Sequence, residues 1–164
     1  PIIPNLGFCL SNRGQMFWLD ENSPACIGPK RRPRTTLSPS LALKDGLPYM
    51  VFGTPGGDQQ DQWSLHLFLR HVHFGLNLQE AIDAPGFSTA HFPNSFYPRE
   101  TDIGHLAIER RFPMETIDEL IKKGHRVIID DDWSLGRMTA ASKDNEILKA
   151  AANPRFMQGY AIGR

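Results

Sequence analysis

The sequence predicts an α+β fold with antiparallel sheets, and two observations carry that reading. Short apolar or alternating runs, the pattern of strands, outnumber the stretches with helical spacing. Several of these runs also stand in pairs around turn-forming residues, as hairpins do, whereas a doubly wound sheet would alternate single strands with helices.

In chain order, runs at 6–10 and 15–19 flank Asn12, Arg13 and Gly14 and read as a first hairpin, because Asn and Gly tolerate positive φ in tight turns. A Pro-, Gly- and Ser-rich loop over 22–33 carries the basic cluster Lys30, Arg31, Arg32 and Arg34. Residues 38–43 and 49–52 form a second hairpin around Lys44, Asp45 and Gly46. The spacing of Trp63, Leu67 and Phe68 predicts a helix over 59–74, with Asp58 as its N-cap and Gly75 just beyond its end. A short helix over 78–84 stops before Pro85, and 86–101, rich in Pro, Ser and aromatic residues, reads as irregular. Then come a strand at 105–109 and a helix over 113–123, which has Pro113 in its first turn and Ile117, Leu120 and Ile121 on one face. A strand at 126–129 follows, and runs at 137–142 and 146–151 make a third hairpin around Lys143, Asp144 and Asn145.

A chain of 164 residues, 40% hydrophobic and 22% charged, is long and apolar enough for one core, so residues 1–164 read as a single domain without repeats. Its 18 basic residues balance 18 acidic ones, which argues against a general polyanion binder, and no nucleic-acid partner is predicted. No apolar run approaches the ~20 residues that span a bilayer. Cys9 and Cys26 make neither a disulfide scaffold nor a zinc spacing, and the six histidines include no His-x-x-x-His pair. No metal or cofactor is predicted.

Three local features could carry chemistry. The Gly53-Thr54-Pro55-Gly56-Gly57-Asp58 segment leads into a helix, so its consecutive N–H groups could meet an anion or a developing oxyanion. A plain bend eased by glycine explains the same residues, and the local pattern by itself favours that bend. Thr35, Thr36 and Ser38 set three hydroxyls beside Arg34, a combination able to hold a carboxylate, although the local pattern by itself favours a β-prone strand start. Lys30 to Arg34 reads as a solvated loop. No Ser lies in a Gly-x-Ser-x-Gly elbow and neither Cys has an evident base beside it, so the residues themselves name no nucleophile.

Taken together, several stretches resemble the small-subunit region of the γ-glutamyltransferase family. They are Lys30-Arg31-Arg32-Pro33-Arg34-Thr35-Thr36-Leu37-Ser38-Pro39, Lys44-Asp45-Gly46, Gly53-Thr54-Pro55-Gly56-Gly57, Leu78-Gln79-Glu80-Ala81-Ile82-Asp83-Ala84-Pro85 and Ala152-Asn153-Pro154-Arg155, in the family's order. The branch most similar is the one that includes cephalosporin acylase-like enzymes. The resemblance implies a portion of an N-terminal nucleophile hydrolase fold, a four-layer αββα sandwich. It implies a precursor that cleaves itself, a new N-terminal Thr as nucleophile with its own amine as base, and an acyl-enzyme resolved by water or an amine.

Carried over by position, the Gly56 and Gly57 N–H groups would form the oxyanion hole, which reverses the local reading of that turn. Thr35 and Thr36 fall where the family binds the substrate's α-carboxylate. Where typical transferases carry Gln and, three residues on, Asp to hold the α-ammonium, this chain has Arg13 and Met16. The expectation is therefore an acyl donor without a free ammonium, such as a dicarboxylic acyl amide. Pro1 cannot replace the catalytic Thr, which is expected upstream. The partners expected are the large subunit and the upstream small-subunit segment of the same precursor, with a small γ-glutamyl or acyl amide as substrate. The chain alone is expected to be inactive and poorly folded. The rival reading is a non-catalytic globular remnant or binding protein that keeps the core.

Overall fold

A computed structural model describes residues 2–157 and 159–163; Pro1, rejected above as nucleophile, lies outside the described residues. The second and third predicted hairpins form and join into one antiparallel sheet. Strands β1 (Ser40–Lys44) and β2 (Leu47–Gly53) meet through Asp45 and Gly46 at φ 53° and 78°, the positive pair that a two-residue hairpin turn requires.

Helices α1 (Gln60–Val72) and α2 (Leu78–Asp83) cover one face of this sheet. Asn77 and Glu80 close a reciprocal capping box at the start of α2, a signal legible in the sequence as Asn-x-x-Glu. Strand β3 (Phe87–Ala90) lies within the stretch read as irregular. It is short and bracketed by Pro85 and Pro93, so its strand pattern is easily lost. It pairs antiparallel with β4 (Asp102–Glu109), which starts three residues before its predicted start at 105. Helix α3 (Met114–Lys122) then carries the chain to β5 (Arg126–Asp130), which runs parallel to β4. This pair is a local exception to the antiparallel pattern, because a helical crossover returns the chain in the same direction. Strands β6 (Thr139–Asp144) and β7 (Ile147–Ala152) complete the first sheet in the order β1-β2-β6-β7; the second is β3-β4-β5.

The core lies between the four-stranded sheet and α1 and α2, built from Met50, Leu67, Leu78, Ala81, Ile82, Met138, Ala140 and Ala151. Alternation along the strands leaves the opposite face with Leu41, Val51 and Leu148 exposed, Leu148 at 79%. Each such side chain gains roughly 1.5–3 kcal/mol on full burial, so an uncovered face of this kind is an association liability. We therefore expect the isolated 164-residue chain to aggregate and to lack a sharp thermal transition, checked by size-exclusion chromatography and calorimetry.

Two further expectations are corrected. The first hairpin does not form: Asn12 takes φ −93° and residues Arg13–Met16 make one turn of 3-10 helix, so the runs at 6–10 and 15–19 do not pair as strands. Nor does Asp58 cap α1. A 3-10 turn, Gly57–Gln59, is inserted before the helix, and the Asp58 carboxylate turns instead toward Ser95. Among the described residues no helix is long and apolar enough to cross a membrane.

Candidate active site

The turn between β2 and α1 has a backbone that only glycine accepts readily. Gly56 sits at φ 146°, ψ 22° and Gly57 at φ 58°. A Cβ on Gly56 would stand 2.2 Å from Trp63 Cζ3, so both conformation and space demand glycine there. At Gly57 the nearest atom to such a Cβ is Phe96 Cε2 at 3.9 Å, and only the positive φ matters. The Gly56 carbonyl accepts from the Gln59 N–H at 3.2 Å, whereas the Gly56 and Gly57 N–H groups have no hydrogen-bond partner among the described residues. They precede α1 at its positive end, where an anion is stabilised.

Asp58 anchors this turn to the loop after β3. Its carboxylate accepts from the Ser95 N–H at 2.8 Å and from the Ser95 hydroxyl, and Arg34 Nη2 lies 3.7 Å away. One turn on, Asp61 accepts from the Ser38 hydroxyl at 2.5 Å, and the Gln62 amide pairs with both backbone groups of Thr89. These contacts lay the segment 34–38 and the loop after β3 along the start of α1. Arg34, Asp58, Asp61, Gln62 and Phe92 line a cavity of about 320 Å³ between them.

Arg13 and Thr36 come together from opposite sides of a long loop: Arg13 Nη1 is 3.5 Å from Thr36 Oγ1, the outer edge of hydrogen-bond range. Thr36 is buried. Thr35 is exposed and its hydroxyl accepts from the Leu37 N–H at 3.2 Å. Met16, in the same 3-10 turn as Arg13, is fully buried. Arg13 and Thr36 have no direct hydrogen bond to Gly56 or Gly57 among the described residues; they connect to that turn through Arg34–Asp58 and Ser38–Asp61.

The sequence pattern described as gamma-glutamyltranspeptidase matches residues 1–163. The chain belongs to this family. It is 33% identical over 160 residues to the glutathione hydrolase-like YwrD proenzyme of Bacillus subtilis, covering 96% of this chain and 29% of that protein. It is 34% identical over 166 residues to the oxamate amidohydrolase proenzyme of Klebsiella pneumoniae, covering 99% of this chain and 30% of that one. Among solved structures, LmbA2991HD superposes with a TM-score of 0.89 at 53% identity, over 100% of this chain and 30% of that one. The cephalosporin acylase of Bacillus halodurans superposes at 0.77 and 28% identity, over 91% of this chain and 26% of that one. The chain therefore has the N-terminal nucleophile hydrolase fold, and it spans less than a third of the curated relatives named here.

In this family member, residue-level reasoning missed a buried charge cluster behind the turn. Glu109, at the end of β4, is fully buried and accepts from Arg155 Nε at 2.8 Å and Nη2 at 3.0 Å, from Arg111 at 2.6 Å, and from the Gly86 and Leu135 N–H groups at 3.0 and 2.9 Å. Burial pushes its carboxyl up, but these donors outweigh burial and hold it down at about 2. Arg155 also donates to Ile82 and Ala84 carbonyls, and Arg70 to those of Ala81, Ala84 and Pro85, so both cap the end of α2. Burial, and then the nearby Arg70, lower His66 to about 4, so it is a neutral ring stacked 3.9 Å from Phe87 at pH 7. The Ala152-Asn153-Pro154-Arg155 stretch signalled the family, but only tertiary contact pairs Arg155 with Glu109.

Proposed function

We propose that this chain is the C-terminal part of a γ-glutamyltransferase-like amidohydrolase or acyltransferase and supplies half of its active site. The observation that carries the reading is the Gly56–Gly57 turn, whose N–H groups have no partner among the described residues and stand just ahead of α1, with Gly56 in a backbone restricted to glycine. There they serve as the oxyanion hole for a tetrahedral intermediate formed by attack on the acyl carbonyl. The nucleophile, a Thr released by cleavage of the precursor, comes from the upstream segment. That segment and the large subunit are the partners, and a further sheet that they supply lies on the exposed Leu41, Val51 and Leu148 face.

Thr35, Thr36 and Arg13 form the acyl-binding wall. A guanidinium beside a buried hydroxyl suits a carboxylate, and buried Met16 offers nothing to an ammonium group. The donor is thus a dicarboxylic acyl amide in preference to a γ-glutamyl one. The name of the oxamate amidohydrolase relative, whose substrate carries a carboxylate and no ammonium, agrees with that choice.

The test compares kcat/KM of the complete, matured enzyme for glutaryl and γ-glutamyl p-nitroanilides. The glutaryl donor should be favoured by about tenfold or more, since the γ-glutamyl donor would set an unpaired ammonium beside Arg13 and Met16 at a cost of about 1.4 kcal/mol or more. The double substitution Arg13→Gln with Met16→Asp should move the preference toward the glutamyl donor. A wild-type preference for that donor would overturn the assignment of Arg13.

A further inference from the structure

The arm that carries Arg13 needs something to hold it, because the hairpin expected there is absent and the arm has no sheet of its own. Buried Met16 gives it apolar packing, and one side chain adds a set of polar bonds. Arg99, in the loop after β3, donates from Nη1 to the Ser95 carbonyl at 2.7 Å and from Nη2 to the carbonyls of Phe17 at 2.7 Å and Gln15 at 3.2 Å. Its guanidinium also lies 4.8 Å from the Trp18 ring. Gln15 and Phe17 flank Met16, and Arg13 opens the same turn.

The far end of this attachment is the candidate oxyanion turn. Ser95, fully buried, gives its carbonyl to Arg99 and both its N–H and its hydroxyl to the Asp58 carboxylate, which directly follows Gly56 and Gly57. One path from Arg13 to Gly57 thus passes through one guanidinium, one serine and one carboxylate, beside the route through Thr36, Arg34–Asp58 and Ser38–Asp61. Residues more than 80 positions apart in the chain are tied by bonds that need the planar fork of arginine. A lysine has a single ammonium and cannot bridge the Ser95 carbonyl to the two arm carbonyls in that geometry.

We propose that Arg99 is a positioning residue, which fixes the distance between the carboxylate-reading Arg13 and the Gly56–Gly57 turn and so sets which acyl chains are accepted. This rests on the assignment of Arg13 under the proposed function. Arg99 touches no reacting atom; it acts by keeping the arm in register, and loss of an ångström at such a site is costly to a donor that must reach both ends.

The test uses the complete precursor matured to active enzyme, with glutaryl p-nitroanilide, whose distal carboxylate reaches Arg13, and butyryl p-nitroanilide, which has none. Arg99→Lys should lower kcat/KM for the glutaryl donor by about 10- to 100-fold, mainly through KM, and leave the butyryl donor within about twofold. The ratio of the two should therefore fall at least about tenfold. Trp18→Leu, which loosens Arg99 without touching the glycine turn, should lower the ratio in the same direction and carries the test should Arg99→Lys fail to mature. Equal losses for both donors, or an unchanged ratio, would overturn the positioning role and leave Arg99 a structural tie. A wild-type enzyme that does not favour glutaryl over butyryl would instead overturn the reading of Arg13 itself, which separates the two failures.

Discussion

Alanine at Gly56 should lower the turnover of the complete enzyme by about 100- to 1,000-fold, the loss typical of a displaced oxyanion donor. Its Cβ would lie 2.2 Å from Trp63 Cζ3, and the flexible end of a side chain is not what it meets. Trp63 is held by its indole N–H, which donates to the Phe87 carbonyl at 3.1 Å, and it also packs against Gly136. The ring cannot retreat without breaking that bond, so the turn must move instead. The same substitution at Gly57 meets nothing nearer than 3.9 Å and faces only the cost of a positive φ, about 1 kcal/mol. Steady-state kinetics and a thermal melt of both variants check this. Comparable activity in the Gly56→Ala and wild-type enzymes would remove the turn from the mechanism.

The second large effect concerns Glu109 and acid. Its carboxyl is held at about 2 in the fold against an ordinary 4.5, so it contributes stability that is fully present above pH 4.5 and is lost as the pH falls through 2. The difference corresponds to about 3 kcal/mol. Glu109→Gln should cost the complete enzyme about 3–5 kcal/mol near neutral pH, because the buried Arg155 guanidinium loses its counter-charge. It should also flatten the acid limb of the stability curve. Denaturant melts from pH 3 to pH 7 measure both, and a variant with unchanged slope between pH 5 and 3 would mean that other carboxylates govern acid unfolding.

Much of the fold was legible in local pattern. Residues 38–52 and 137–151 read as hairpins because turn residues separate apolar runs, and Asp45 and Gly46 take the positive φ that their chemistry allows. The long helix followed from Trp63, Leu67 and Phe68 at helical spacing. Local pattern failed at 6–19, where the same signals, two apolar runs around Asn12 and Gly14, gave no hairpin. A hairpin needs a third element or a helix to bury its apolar face, and the exposure of Leu6, Leu10 and Leu19 records that none covers it among the described residues. It failed again at Phe87–Ala90, where prolines on both sides hide a strand that pairing with β4 stabilises.

The candidate site divides in the same way. The glycines, the threonines and Arg13 were all nameable from sequence, but the local pattern favoured a plain bend at Gly56–Gly57 and a β-prone strand start at Thr35–Thr36. Family resemblance, not spacing, turned those residues into a hypothesis about acyl transfer.

The sequence by itself determined the fold class, the two hairpins of the larger sheet, the principal helices and the family, because each rests on near neighbours in the chain or on an ordered set of short motifs. The tertiary structure alone decided which side chains meet: Arg13 with Thr36, Asp58 with Ser95, Arg99 with the arm, Glu109 with Arg155. These pairs are separated by 23 to 84 residues, and no periodicity reaches that far. Charge pairing inside a protein depends on burial and on distances of a few ångströms, and both are set only when the sheets and helices have packed.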